Sequence, residues 1–278
     1  MYWRECDEMK SILFNAFSDE GHSKRLDVAL DLARNFDASL TVVSVVPYEV
    51  LIGDGLSDAA FAAMIPIWRE EARELREQTE QDLANEGVSW RWIESSSPAT
   101  DAILEHSPLA DLIIIGARDP RRGGRVPSHT AGDLAILADC PVLVLPEAQS
   151  RFDITAPALV AWDGSPEASH ALKSAVPFLK ESSEVFFASV KEKKDARFDL
   201  PPVSGADYLS RYGIRSEIVE IAESSKDVAT QLTDAALARR CGLIVMGAYG
   251  RMRLAERIFG GVTRSMLTDL QVPLLLRH

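Results

Sequence analysis

Short apolar runs of strand length alternate with longer segments of helical period along the whole chain of 278 residues. This order is typical of a parallel β-sheet covered by helices on both faces, because the crossover between parallel strands usually contains a helix. In the first half we predict strands at 12–17, 39–46, 88–94, 111–116 and 141–145, with helices at 23–36, 58–85, 99–106 and 131–138 between them.

The same order occurs a second time. We predict strands at 158–163, 185–190, 215–221, 243–247 and 272–276, and helices at 167–180, 207–212, 226–239 and 262–270. The halves also share residues, since Asp-Leu-Ile-Ile-Ile-Gly-Ala at 111–117 parallels Gly-Leu-Ile-Val-Met-Gly-Ala at 242–248. A repeat this long indicates a duplicated domain rather than a solenoid. We expect an α/β chain of two domains, 1–149 and 150–278, each a five-stranded parallel open sheet with helices on both faces.

The net charge of the chain indicates which kinds of molecule it would attract. The chain has 30 Lys and Arg against 42 Asp and Glu, a net charge of −12, which argues against nucleic acid and anionic membranes as partners. No apolar run approaches the roughly 18 residues of a membrane span, and the first residues lack the pattern of a signal peptide. The cysteines Cys6, Cys140 and Cys241 are too scattered for a disulfide framework. These features predict a cytoplasmic protein.

One glycine-rich segment of the second half has the character of a ligand site. Gly247 ends a predicted buried strand, Gly250 follows three residues later, and Gly260 and Gly261 come just before a predicted helix. Glycines at a strand exit let a ligand approach the backbone, and the free N–H groups of a helix start attract phosphate. Asp163 is predicted at the same carboxyl edge of the sheet, where open parallel sheets bind ligands. The spacing predicts phosphate binding, with a purely structural role of these glycines as the alternative.

Two well-known phosphate loops are absent from the sequence. No Gly-x-x-x-x-Gly-Lys-Ser/Thr segment occurs, and no Gly-x-Gly-x-x-Gly segment follows the first strand of either half. A P-loop hydrolase and a dinucleotide-dependent dehydrogenase are therefore disfavoured.

Three segments carry a resemblance to a known family. They are Leu-Val-Ala-Trp-Asp-Gly-Ser-Pro-Glu-Ala-Ser at 159–169, Leu-Ile-Val-Met-Gly at 243–247, and the Gly-x2-Gly-x9-Gly spacing that begins at Gly247. With them the chain resembles a tandem member of the universal stress protein family. The resemblance implies a five-stranded parallel α/β fold for each domain, and pairing of domains through their last strands. It also implies ATP or AMP, with Mg²⁺ as an accompanying ion, in members that keep the signature.

The resemblance assigns a role to each residue of the site. Asp163 would meet the ribose, the backbone of Val190 the adenine edge, and Met246 and Gly247 the sugar. The phosphates would lie among Gly250, Gly260, Gly261, Val262 and Thr263. Gly261 departs from the family signature, which has Ser or Thr there. The lost hydroxyl would cost about 0.5–1.5 kcal/mol, and Thr263 is the residue placed to compensate.

The first half departs much further from the signature. Phe17 stands where the second half has Asp163, and Asp119 replaces the second glycine. Ser128 and His129 arrive one residue early where the glycine pair would be. Because a carboxylate repels phosphate, the first domain is predicted not to bind a triphosphate. The basic segment 118–125 is open to two interpretations, a site for another anion or a solvated loop.

The histidines do not predict a metal centre, because none has a second His or Cys three or four residues away. His22 and His170 fall early in the first helix of their halves and are expected at the surface or next to the helix cap. No Ser–His–Asp or Cys–His set is apparent, and Ser165 is interpreted as a loop or capping residue.

We therefore expect a stress-response protein whose second domain binds an adenine nucleotide as a signal, with ATP hydrolysis at most slow. The alternative is a nucleotide-free interaction or dimerisation module of the same fold. A third reading is an adenylating enzyme or an electron-transfer flavoprotein subunit, for which the short domains leave little room. The closing strands at 141–145 and 272–276 are expected to pair within the chain. A homodimer is a further expected state, and the protein partner stays unidentified.

Overall fold

A computed structural model describes residues 9–46, 58–118, 127–190, 200–222, 225–249 and 261–278. The first half contains β1 (Ser11–Ala16), α1 (His22–Phe36), β2 (Ser39–Val45), α2 (Asp58–Leu83), β3 (Trp90–Ser95), α3 (Ala99–His106), β4 (Leu112–Gly116), α4 (His129–Leu137) and β5 (Val142–Leu145). The second contains β6 (Ala158–Ala161), α5 (Pro166–Glu181), β7 (Val185–Val190), α6 (Pro202–Ser210), β8 (Glu217–Ile221), α7 (Val228–Ala238), β9 (Leu243–Gly247), α8 (Gly261–Thr268) and β10 (Leu274–Arg277). The predicted alternation of strands and helices is confirmed.

The described strands form one sheet in the order β3-β2-β1-β4-β5-β10-β9-β6-β7-β8. Within each half the strands pair in parallel, in the order expected for a doubly wound domain. The halves join where β5 and β10 run antiparallel, with Leu143 opposite Leu275. The prediction that the closing strands pair is confirmed. Both strands consist of buried apolar residues, apart from the half-buried Arg277 that ends β10, and their pairing removes two open sheet edges.

Each face of the sheet carries its own hydrophobic core. One cluster includes Phe14, Leu26 of α1, Leu172 of α5 and Leu209 of α6. The other lies under α3, α4, α7 and α8 and includes their Ile103, Leu134, Leu232 and Met266. Neighbouring strand residues therefore point into different cores, and the inner strands β4, β5, β6 and β9 are apolar almost throughout. This explains why their sequences read as continuous apolar runs rather than as alternating ones.

Several element boundaries differ from the prediction by a few residues, and two of these differences have a local reason or bear on the site. The helix predicted at 207–212 begins at Pro202, because a proline is favoured in the first turn of a helix, where its missing N–H has no intrahelical partner. The strand predicted at 158–163 ends at Ala161, so Asp163 lies in the turn that follows β6. In the described ranges, none of the helices combines the length and apolar character that a membrane crossing requires.

Candidate functional site

The candidate site lies at the carboxyl ends of β6 and β9, which are neighbours in the sheet although they are far apart in sequence. After β6 the chain continues to β7 on one side of it, and after β9 the chain continues to β10 on the other side. Such a point, where the strand order reverses, leaves a crevice between the two outgoing loops. Asp163 and Gly247 both lie at this crevice in the second domain.

The turn after β6 orients the carboxylate of Asp163. Its Oδ1 accepts hydrogen bonds from the backbone N–H of Ser165 at 3.0 Å and from the Ser165 hydroxyl at 2.6 Å. Gly164, between them, has a φ of 77°, a conformation in which a side chain would be strained. The Ser165 Oγ in turn accepts from the N–H of Ala168 at 3.1 Å and caps α5. The interpretation of Ser165 as a capping residue is confirmed, and Asp163 remains exposed.

Gly247 allows a close contact between β9 and the start of α5. A Cβ built on Gly247 would lie 2.5 Å from the backbone nitrogen of Ala168 and 2.6 Å from the carbonyl carbon of Glu167. No side chain fits at this distance. The first turn of α5 is therefore held directly against the carboxyl end of β9.

The other predicted residues of the strands surround the same crevice. Val190 ends β7, lies opposite Ile221 of β8 and is half-buried. Met246 lies opposite Ala161 and Leu276 and is 6% exposed. Val190 and Met246 both pack with the core on the α7–α8 side of the sheet.

The start of α8 supplies the remaining described part of the site. Gly261 is exposed, and a Cβ built on it would meet no atom of the described residues within 4 Å. Val262 is half-buried, and Thr263 is 4% exposed, with its Oγ1 3.5 Å from the backbone nitrogen of Tyr249. Gly250 and Gly260 lie outside the described residues. The structure thus brings one end of the glycine segment next to the helix that follows it.

Tyr249 connects this segment to the first domain. Its φ is 53°, in the left-handed region that a bulky residue rarely adopts. Burial raises the pKa of its hydroxyl to about 12, and the negative charge of Asp133 on α4 adds to this shift.

The first domain has the same strand arrangement but a different site. The β1–β4 and β6–β9 pairings have the same register relative to Gly116 and Gly247. Phe17 consequently takes the position that Asp163 has in the second domain. Asp119 lies outside the described residues, as does the rest of the basic segment up to residue 125. Ser128 caps α4 by accepting from the N–H of Ala131 at 3.1 Å.

An ion pair that sequence reasoning missed lies at the first domain's switch point. Arg25 is 4% exposed, and its Nη2 donates to both carboxylate oxygens of Asp19, at 2.8 and 3.0 Å. A Cβ on Gly116 would lie 3.3 Å from the Arg25 side chain, whereas Gly247 meets helix backbone. In the first domain an arginine side chain thus contacts the strand exit that in the second domain contacts a helix start. Nothing in the local sequence distinguishes Arg25 from a surface arginine.

His22 was expected at the surface or next to the helix cap; it directly follows the N-cap Gly21 of α1, but it does not lie at the surface. The residue is 5% exposed, and its Nε2 lies 2.9 Å from the Oγ1 of Thr79 on α2. The Thr79 hydroxyl donates to the Leu75 carbonyl, so Nε2 of His22 is the donor in this contact. Burial lowers the pKa of His22 to about 4, and the charge of Arg25 lowers it further. The imidazole is therefore neutral near pH 7.

In the described part of the chain, no group of three or more His, Cys, Asp or Glu side chains is arranged to hold a metal ion. Cys140 and Cys241 are both buried, and burial raises the pKa of the two thiols to about 12 and about 11. Neither thiol is a reactive thiolate near neutral pH.

The fold and the site together define a class of protein, a tandem pair of doubly wound α/β domains, the second of which has its topological switch point between β6 and β9. The chain belongs to the universal stress protein family, whose family model matches residues 9–146 and again 156–278. Both matched regions carry the predicted strand and helix order. No curated protein matches the sequence.

Solved structures share this architecture over nearly the full length. A universal stress protein from Archaeoglobus fulgidus DSM 4304 aligns with a TM-score of 0.74 at 19% identity, covering 96% of this chain and 97% of that chain. A functionally unknown protein from Pseudomonas aeruginosa PAO1 aligns with a TM-score of 0.59 at 20% identity, covering 98% of this chain and 93% of that chain. At these identities the likeness concerns the fold alone.

Proposed function

We propose that the second domain binds an adenine nucleotide, ATP or AMP, as a signal in a stress response. The observation that carries this proposal is the exposed carboxylate of Asp163, held in a defined orientation beside the exit of β9 at Gly247. The first domain has Phe17 in the corresponding position. A carboxylate suits the hydroxyl groups of a ribose, because it accepts hydrogen bonds and donates none.

The described residues fit such a ligand. In the proposal, Asp163 accepts from the ribose, the backbone of Val190 meets the adenine edge, and Met246 and Gly247 line the sugar. The phosphates lie over the start of α8, where free N–H groups and the helix dipole favour negative charge. They contact Gly250, Gly260, Gly261, Val262 and Thr263. The open space over Gly261 supports this placement, since no described side chain blocks it.

Nucleotide binding rather than fast hydrolysis is proposed. Efficient phosphoryl transfer needs a positioned base or water, a lysine or arginine on the transferred phosphate, and a bound Mg²⁺. The described residues of the crevice contribute one oriented carboxylate, already engaged through Oδ1. An accompanying Mg²⁺ would enter on the phosphates of the nucleotide. We expect ATP hydrolysis, measured as phosphate release, to be slow at most.

The proposal is tested by identifying nucleotide released from the purified protein by mass spectrometry, followed by calorimetric titration with ATP and AMP. Wild type is expected to bind one equivalent, and Asp163→Ala and Gly250→Asp to bind none. Asp153→Ala is the matched control, because Asp153 makes the same turn, with its Oδ1 2.9 Å from the Thr155 N–H and 2.7 Å from its hydroxyl. Asp153 precedes β6 and therefore lies at the amino ends of the strands, opposite to the carboxyl ends where Asp163 is found. Loss of binding in this control would contradict a specific role of Asp163.

The second candidate is a nucleotide-free interaction module. It is favoured by the missing hydroxyl at Gly261 and by the altered first domain. If wild type neither carries nor binds adenine nucleotide, this candidate replaces the first. In both cases we propose domains at 1–149 and 150–278, a cytoplasmic location, and pairing of two chains, which sedimentation of the purified protein would measure.

A further inference from the structure

We propose that Ser165 is the positioning residue of the nucleotide site and that it sets the discrimination between ribose and deoxyribose nucleotides. This inference rests on the proposed function. Ser165 is 3% exposed, whereas its partner Asp163 is exposed. The buried hydroxyl of Ser165, at the start of α5, hydrogen-bonds the exposed carboxylate of Asp163. This contact restricts the rotation of the group that would meet the ligand.

The hydrogen bonds form a chain with a defined direction. The N–H of Ala168 donates to the Ser165 Oγ, so the hydroxyl proton is free to point at Asp163. The hydroxyl donates to the Asp163 Oδ1 at 2.6 Å, and the Ser165 N–H donates to the same oxygen at 3.0 Å. Two donors on one oxygen determine the rotation of the carboxylate. Donation to an ionised group also gives a stronger hydrogen bond than donation to a neutral one.

The second carboxylate oxygen of Asp163 is the part left for a ligand. No described residue donates a hydrogen bond to Oδ2, and the side chain is exposed. An oxygen held in one orientation accepts a sugar hydroxyl without first losing rotational freedom. A sugar that lacks this hydroxyl leaves the oxygen desolvated and unpaired, which is how a site of this kind rejects a deoxy analogue.

The hydrogen-bonded pair of Asp163 and Ser165 in the second domain has no counterpart among the described residues at the same place in the first domain. There Phe17 replaces the carboxylate, and Asp19, two residues later, binds the Arg25 guanidinium. The carboxylate of the first domain is thus committed to an internal cation. The carboxylate of the second is held by a neutral hydroxyl and an N–H, which leave its negative charge available to the ligand.

The chain offers a matched control for the capping role of Ser165. Ser128 is also buried, at 6% exposure, and caps α4 through the N–H of Ala131 at the same 3.1 Å. Its hydroxyl donates to no carboxylate among the described residues. Ser165→Ala and Ser128→Ala therefore remove the same type of helix cap, but only the first releases Asp163. Ser165→Thr restores the hydroxyl.

The experiment is calorimetric titration of wild type and these three variants with ATP, 2′-deoxyATP and 3′-deoxyATP. In Ser165→Ala we expect the dissociation constant for ATP to rise about tenfold, the effect of one lost hydrogen bond. The preference for ATP over at least one deoxy analogue should fall by the same factor. Ser128→Ala should match wild type, and Ser165→Thr should recover affinity and preference relative to Ser165→Ala. If Ser165→Ala keeps the wild-type preference, or if Ser128→Ala loses it equally, the inference is overturned.

A second measurement separates this inference from the proposed function. Amide hydrogen exchange in ligand-free protein should show the Ser165 N–H protected in wild type and unprotected in Asp163→Ala. Equal exchange of the Ser165 N–H in the two proteins overturns the positioning role, whether or not the protein binds nucleotide. Protection in wild type without binding of any adenine nucleotide refutes the proposed function, and the sugar discrimination with it, while the positioning of Asp163 by Ser165 stands.

Discussion

Replacing Gly261 by serine should strengthen nucleotide binding, because it restores a hydroxyl that the family signature has at this position. Gly261 begins α8, is exposed, and has no atom of the described residues within 4 Å of the place that a Cβ would occupy. The added side chain therefore meets no steric resistance from the described part of the chain. Its hydroxyl would lie at the helix start, where the proposed phosphates meet the free N–H groups.

The size of the effect follows from the hydrogen bond and from the backbone. A hydroxyl that donates to a phosphate oxygen contributes about 1–1.5 kcal/mol, which lowers the dissociation constant for ATP about tenfold. Glycine is also a poorer helix former than serine, so Gly261→Ser should raise the free energy of unfolding by a few tenths of a kcal/mol. Gly261→Ala shares the backbone effect but has no hydroxyl.

Calorimetric titration with ATP separates the two contributions. Gly261→Ser is expected to bind about ten times more tightly than Gly261→Ala, which should resemble wild type. Urea unfolding without nucleotide should show both variants slightly more stable than wild type. If serine and alanine give the same affinity, the phosphates do not lie over the start of α8, and the placement of the nucleotide is refuted.

Three further predictions concern stability, measured as the free energy of unfolding in urea. Gly247→Ala should cost about 1–3 kcal/mol, because the new methyl group would overlap helix backbone; Gly116→Ala is the control and should cost less, since its neighbour is a side chain that can move. Arg25→Ala should cost about 3 kcal/mol, because it leaves a carboxylate without its buried partner; a loss below about 1 kcal/mol would show that the pair behaves as a surface ion pair. Because the pKa of His22 falls from 6.5 to about 4 on folding, the unfolded chain binds the extra proton between these values. Stability should therefore fall by about 3 kcal/mol between pH 7 and pH 4 through this residue, and the His22→Gln variant should lack that component.

The fold was predictable because its signals are local. The runs that became β7 and β9 were predicted with the observed bounds, since a strand buried on both faces needs consecutive apolar residues. The start of α6 was harder to predict, because the two consecutive prolines at 201 and 202 indicate a break in the chain as well as a helix start. For the site, the replacement of Asp163 by Phe17 in the first half was visible in the sequence, and the register of the strands places the two residues equivalently.

The sequence alone determined the duplicated α/β plan and the asymmetry between the halves, because apolar periodicity and residue identity are properties of short segments. Only the tertiary structure decided what the polar residues near the strand ends do. His22 is buried by a contact with Thr79, 57 residues away, and Gly247 is required by a helix start about 80 residues earlier in the chain. The hydrogen bonds from Ser165 to Asp163 depend on distances and angles within a turn. The residue types permit this geometry but do not specify it. Such contacts depend on how distant segments pack, and no periodicity in the sequence records them.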